Sequence, residues 1–263
     1  MNNRRKALLL AAIMSTTLAG LFAGIQFAPA GAQEDGVSTQ NAIPLKEAKL
    51  NIEHNAKDKD TGFQGFLDSE GWNRITVTDP KGNKVLDFRG EGELGQLGLT
   101  ELFFESVEPE NADVPISELL KTLPEGRYTF RGNAIEVGEE MGTTIGTALL
   151  THDIPNGPRL VSPAEDAVVP VNDVLFDWKP VFKNIDGSWT TIIAYQLIVE
   201  KDEEPHRHMI GKFGLSMYLP PDVTEIEIPG EFFEPGTDYS WEVLAIEKSG
   251  NQSITSSSFS TRG

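Results

Sequence analysis

The sequence predicts an all-β chain: two tandem antiparallel β-sandwiches behind a cleaved signal peptide. Three observations lead there. The first 32 residues read as an export signal. Most of the remainder falls into short runs of alternating apolar and polar residues, separated by Gly- and Pro-rich turns. A run of four turn formers, Pro155-Asn156-Gly157-Pro158, divides that remainder in two.

Arg4, Arg5 and Lys6 form a basic start, and an apolar run follows from Ala7 to Ala28. Ala30-Gly31-Ala32 supplies small residues for cleavage after Ala32, so residues 1–32 are expected to be a signal peptide. An uncleaved anchor is the competing reading, because the apolar run has the length of a membrane span. Ser15, Thr16, Thr17 and two glycines, Gly20 and Gly24, dilute that run, which favours cleavage. Arg4-Arg5 hints at twin-arginine export, but Ala7 stands where a bulky residue usually follows the pair. Residues 33–44 are small and polar and are expected to form a flexible leader.

The chain has no Cys, which excludes disulfides, thiol catalysis, zinc-thiolate sites and a lipid-modified cysteine. Lys and Arg number 22 against 40 Asp and Glu; removing the three basic residues of the signal leaves 19 against 40, a net charge of −21. That excludes nucleic acid, which demands a basic stripe, and docking to anionic lipid headgroups. No later stretch is apolar enough for membrane insertion, so the expected location is periplasmic or secreted. The 231 residues after Ala32 are enough for two hydrophobic cores.

Residues 45–154 are expected to form the first sandwich. Lys49 to His54 alternates, with Leu50 and Ile52 on one face. Arg74 to Thr78 and Lys84 to Phe88 alternate around the turn Asp79-Pro80-Lys81-Gly82-Asn83, which predicts a hairpin. Leu102-Phe103-Phe104 reads as a short apolar strand. Ile116, Leu119, Leu120 and Leu123 fall at helical spacing after Pro115. Pro124-Glu125-Gly126 turns into a strand from Arg127 to Phe130, and Thr144 to His152 is a last strand. The unit is immunoglobulin-like in pattern only.

Residues 159–263 carry a denser signal. Phe176 and Trp178 share a face, as do Tyr195, Leu197 and Val199, and then Ile226 and Ile228. Phe233, Pro235, Gly236 and Tyr239 form a corner, and Tyr239, Trp241, Val243 and Ala245 face inward along one strand. Ser249-Gly250-Asn251 turns into a closing strand near Phe259. This ordered set, F-x-W, Y-x-L-x-V, F-x-P-G-T-x-Y-x-W-x-V-x-A and S-G-N, resembles a fibronectin type III domain. The resemblance implies a seven-stranded Greek-key sandwich in which Trp178 is the core tryptophan and the Tyr239 hydroxyl ties down a corner. The charged connection from Lys201 to Met217 is longer than a minimal domain needs, and the unit has no Arg-Gly-Asp.

Chemistry is sparse. Asp58, Asp60 and Asp68, around Gly62, are the candidate calcium ligands, since carboxylates on a loop can wrap a hard cation. Lys57 and Lys59 oppose them. Asp60-Thr61-Gly62 spells the aspartic protease triplet, but only one copy exists and that chemistry needs two. His206 and His208 would face one way on a strand, yet no third His or Cys is near. There is no G-x-S-x-G, and Gly92 and Gly95 are not expected to lead into a helix as a phosphate loop does. No catalytic residue is therefore expected, and no cofactor other than calcium on those aspartates. Trp72 and Trp189, beside glycine-containing turns, are the candidate binding aromatics.

The expected function is an exported, non-enzymatic interaction protein of the bacterial cell envelope, with a protein or glycan partner. The alternatives are an accessory subunit of an envelope enzyme or transport complex, and a calcium-stabilised matrix protein.

Overall fold

The computed structural model describes residues 42–136 and 138–263. The expected signal peptide, 1–32, and the leader up to residue 41 lie outside them. No described helix is long and apolar enough to cross a membrane.

The first unit contains β1 (Ile43–Pro44), β2 (Glu47–Asn55), β3 (Asp60–Thr78), β4 (Lys84–Arg89), β5 (Leu99–Glu105), β6 (Gly126–Glu136) and β7 (Glu139–Leu150). Two short helices, α1 (Gly92–Leu97) and α2 (Ile116–Leu119), cross between strands. The 19-residue β3 belongs to both layers. Its first half pairs with β2 and β5, and from Trp72 onward it pairs with β4 and β6, after a register break between Asp68 and Trp72. One layer is β2–β3–β5 and the other β1–β7–β6–β3–β4. Leu50, Ile52 and Leu67 from the first meet Ile75, Val77, Tyr128 and Phe130 from the second in one core.

Three expectations change here. The segment from Asp60 to Asp68 is strand, not loop. Its glycines read as turn formers, but neighbouring side chains lie on them: a Cβ on Gly65 would sit 2.2 Å from the Phe104 ring, and one on Gly62 2.6 Å from Glu108 Cγ. The leader's end is not free, because Ile43 and Pro44 pair in parallel with Thr144 and Ile145. Gly92 opens a helix after all, but one of six residues. The helical spacing after Pro115 holds as packing: Ile116, Leu119, Leu120 and Leu123 all cover the core, although only one turn is helical.

The second unit contains β8 (Arg159–Ser162), β9 (Ala167–Val169), β10 (Val174–Lys179), β11 (Ile192–Lys201), β12 (Gly214–Leu219), β13 (Glu225–Ile228), β14 (Asp238–Glu247) and β15 (Gln252–Thr261). Its layers are β8–β10–β13 and β12–β11–β14–β15, with β9 running parallel to the end of β15. Every inward aromatic expected on β10, β11 and β14 is buried. Phe176 meets Trp241 edge-on at 5.1 Å between centroids, and Tyr239 stacks on Phe259 at 5.4 Å. The Tyr239 hydroxyl accepts the Glu234 N–H at 2.8 Å, tying the corner as its place in the motif implies.

The cores are separate, yet the two units share a sheet. Gln252 to Ile254 of β15 pair in parallel with Glu53 to Asn55 of β2. Asn251, 1% exposed, locks this seam. Its Oδ1 accepts the Ile52 N–H at 2.8 Å, while its Nδ2 donates to the carbonyls of Thr151 at 2.9 Å and Asp153 at 3.0 Å. The Ala56 N–H donates to Ile254 O at 2.9 Å, and the Ile185 N–H to Ile154 O at 2.9 Å. Lys57 pairs with Glu165 across the seam at 2.8 Å. Backbone groups of both units are thus satisfied by one another, as buried polar groups must be.

Candidate functional site

Beside this seam the continuous sheet gathers carboxylates. Glu53 on β2 lies opposite Gly62 on β3, and Glu105 on β5 lies opposite Gln64. Glu108, just beyond β5, lays its side chain over Gly62, where a side chain would otherwise stand. The oxygens of Glu53, Glu105 and Glu108 come within 4.8 Å of one another. Glutamines hold the arrangement: Gln64 Nε2 donates to Glu105 at 2.8 Å, and Gln252 Nε2 donates to Gln64 Oε1 at 3.1 Å and also to Glu53.

Burial and the crowding of like charges shift two of these groups, Glu53 and Glu108. Burial, with Glu53, Glu105 and Asp60 nearby, pushes the Glu108 carboxyl up to about 8. Burial likewise raises Glu53, against the opposing hydrogen bond from Gln252. Further along the sheet Glu242 rises to about 7 through burial and then the charge of Glu200. Glu108 and Glu53 thus hold their protons to higher pH than exposed glutamates do. Three convergent carboxylates are also a donor set that a hard cation accepts.

The expected site residues behave differently from one another. Asp58 sits in the β2–β3 turn, where Asn55 Nδ2 donates to it at 3.2 Å. Asp60 begins β3, and Asp68 lies eight residues along the same extended strand. At ~3.3 Å per residue that separates Asp60 and Asp68 by about 26 Å, so the three aspartates form no common ligand set. The calcium reading on those residues is corrected accordingly.

Trp72 is corrected too. It is 1% exposed, in the core where β3 changes layers, with its indole N–H donating to Thr100 O at 3.2 Å. Trp189 is 76% exposed in the β10–β11 connection, and the Lys183 ammonium stands 3.9 Å over its ring. Lys183 and Trp189 bridge to each other, and Phe182 beside them is also exposed. His206 and His208 lie in an exposed turn rather than a strand, and Arg207 Nε donates to His208 Nε2 at 3.1 Å.

Sequence reasoning missed Glu53, Glu105, Glu108 and the Asn251 clamp. It also passed over a corner in the first unit. The Tyr128 hydroxyl donates to Pro124 O at 2.8 Å, burying the ring completely. The signal was present: Pro124-Glu125-Gly126-Arg127-Tyr128 parallels Pro235-Gly236-Thr237-Asp238-Tyr239, a Pro-Gly turn leading to an inward tyrosine.

No protein-family model matches the chain, and no curated protein matches it. Among solved structures, the FN1–FN3 domains of chicken CNTN1 are 10% identical, over 84% of this chain and 68% of that one, with a TM-score of 0.32. A two-domain fibronectin type III segment of chicken tenascin is 11% identical, over 82% and 98%, with a TM-score of 0.28. The strand order of the second unit, three strands facing four with the tyrosine corner between them, is itself a fibronectin type III-like fold.

Proposed function

We propose that the chain is an exported, non-enzymatic binding protein of the bacterial cell envelope, presenting two fused β-sandwiches to a protein or glycan partner. The observation that carries this is the seam. Strand pairing of β2 with β15 and the buried Asn251 amide fix the orientation of the two units. A fixed pair of sandwiches is a scaffold: its faces stay in register with each other without an ordering cost on binding. Exposed Trp189 and Phe182 add apolar anchors of the kind that recognition loops use.

Crosslinking in living cells with a C-terminally tagged chain, followed by mass spectrometry, tests the reading. A dominant envelope partner, or retention on cell-wall material, supports it. Recovery of the tagged chain in the cytoplasm without either would end it. Hydrolysis of a polysaccharide panel, abolished by one carboxylate-to-amide change, would also do so.

A further inference from the structure

The outer face of the β1–β7–β6–β3–β4 layer has the opposite charge to the rest of the chain. Strand register places Arg89, Arg74 and Asn133 in one row across β4, β3 and β6, and Asp87, Thr76 and Arg131 in the next. Arg127 follows on β6, and Lys84 reaches the same face, where it pairs with Asp87 at 2.7 Å. Four of the seven arginines after residue 32 therefore share one side of one sheet. Among the described outward positions of β3, β4, β6 and β7 in these rows, Asp87 is the one carboxylate.

Like charges directly opposite across strands are unfavourable, as with Arg74 and Arg89. Asp87 neutralises part of this by a two-pronged bond to Arg74, at 2.9 and 2.7 Å. Arg127 and Arg131 pair with no carboxylate among the described residues. Arg127 spends one donor on Thr147 Oγ1 at 3.2 Å. A guanidinium has five N–H donors, and its fork matches a carboxylate. Around these cations most outward side chains are hydroxyls and amides, Thr76, Thr129, Thr143, Thr147 and Asn133, with Ile145 opposite Arg131 and Leu149 opposite Arg127. At the end of the face Asn73, Arg74, Arg89, Gln96 and Asn133 line an open cleft of about 650 Å³, but Glu91 and Glu140 line it too and Glu91 pairs with Arg89 at 3.6 Å, so the cleft itself offers no net positive charge.

We propose that this face binds an acidic polysaccharide along the open rows of β6 and β7, with Arg127 and Arg131 on its carboxylates and threonine and asparagine side chains on its hydroxyls. This rests on the reading of the chain as an envelope binding protein and names its partner. Charge complementarity selects a polyanion. The composition of the face selects a glycan over a protein, because it presents no aromatic side chain and its apolar side chains are only exposed Leu149 and half-buried Ile145, whereas protein interfaces centre on aromatic and apolar anchors. The opposite layer bears Glu53, Glu105 and Glu108, so a polyanion is steered to this side alone.

The test is gel retardation of the purified full chain through polygalacturonate, with neutral dextran as comparison. The proposal expects retardation by polygalacturonate only, weakening with salt. Arg127→Gln with Arg131→Gln should lower affinity about tenfold for each arginine, and exposed Arg127→Gln alone about tenfold. Arg207→Gln with Arg262→Gln changes net charge equally, lies off the face and should leave retardation unchanged. Unaltered melting temperatures establish that the variants fold. Equal retardation by dextran, no retardation by polygalacturonate, or equal effects of the two pairs would overturn it. So would a self-association or a protein capture abolished by the face variants. Any of these, with a protein partner still crosslinked in cells, removes the acidic glycan and leaves the envelope-binding reading standing.

Discussion

Replacing Asn251 by alanine tests whether the two sandwiches behave as one body. The substitution removes one acceptor and one amide donor group from a site closed to solvent. It leaves the Ile52 N–H and the carbonyls of Thr151 and Asp153 without their partner. A net hydrogen bond contributes ~1 kcal/mol, and a buried group left unsatisfied costs about 1–3 kcal/mol. Three groups are affected, and water entering the opened seam offsets part of the loss, so about 3 kcal/mol of destabilisation is expected. Guanidinium unfolding of the full chain reads this as a lower midpoint. Small-angle scattering reads the accompanying loosening as a broader distribution of shapes, since the β2–β15 pairing covers only Gln252 to Ile254. An unchanged midpoint together with a superimposable scattering curve would refute the clamp.

Glu108→Gln should reverse the usual direction of a charge-removing change. The unfolded carboxyl titrates near 4.5 and the folded one near 8. Between those values the folded state holds the extra proton, so stability falls as pH rises through that window. Because solvent reaches Glu108, its contribution is discounted to about 1–2 kcal/mol. The variant should gain that amount over the parent at pH 8.5 and nothing at pH 4; identical pH profiles would contradict the crowding of carboxylates. Tyr239→Phe strands the Glu234 N–H and should cost about 1–2 kcal/mol in chemical denaturation, with no change if water replaces the hydroxyl fully. Trp189→Ala should leave stability within about 0.5 kcal/mol, because the ring is exposed; a larger loss would mean that the Lys183–Trp189 contact organises the loop.

Legibility followed locality. The strands of the second unit were readable because each carries its own inward aromatics at period two, and the Pro-Gly turn before Tyr239 marks the corner within a few residues. Asp60 to Asp68 was misread because glycine is depleted in strands in general. Here Phe104 and Glu108 supply the missing side chains from a distant part of the chain. Trp72 and Trp189 both neighbour turn-forming residues, and nothing local distinguishes the one that the layer change buries from the one left in water.

What the sequence determined by itself was the all-β class, the inward faces of the second sandwich and an acidic, cysteine-free surface. These depend on neighbours in sequence and on composition. The tertiary structure decided the rest. Asn251 and Ile52 are 199 positions apart, and neither residue type announces a partner. The glutamate group joins β2, β5 and the segment after β5, and the arginine face exists only once strand register aligns β4, β3 and β6. Register depends on how a whole face is buried, since a slip of one residue turns every side chain to the other side.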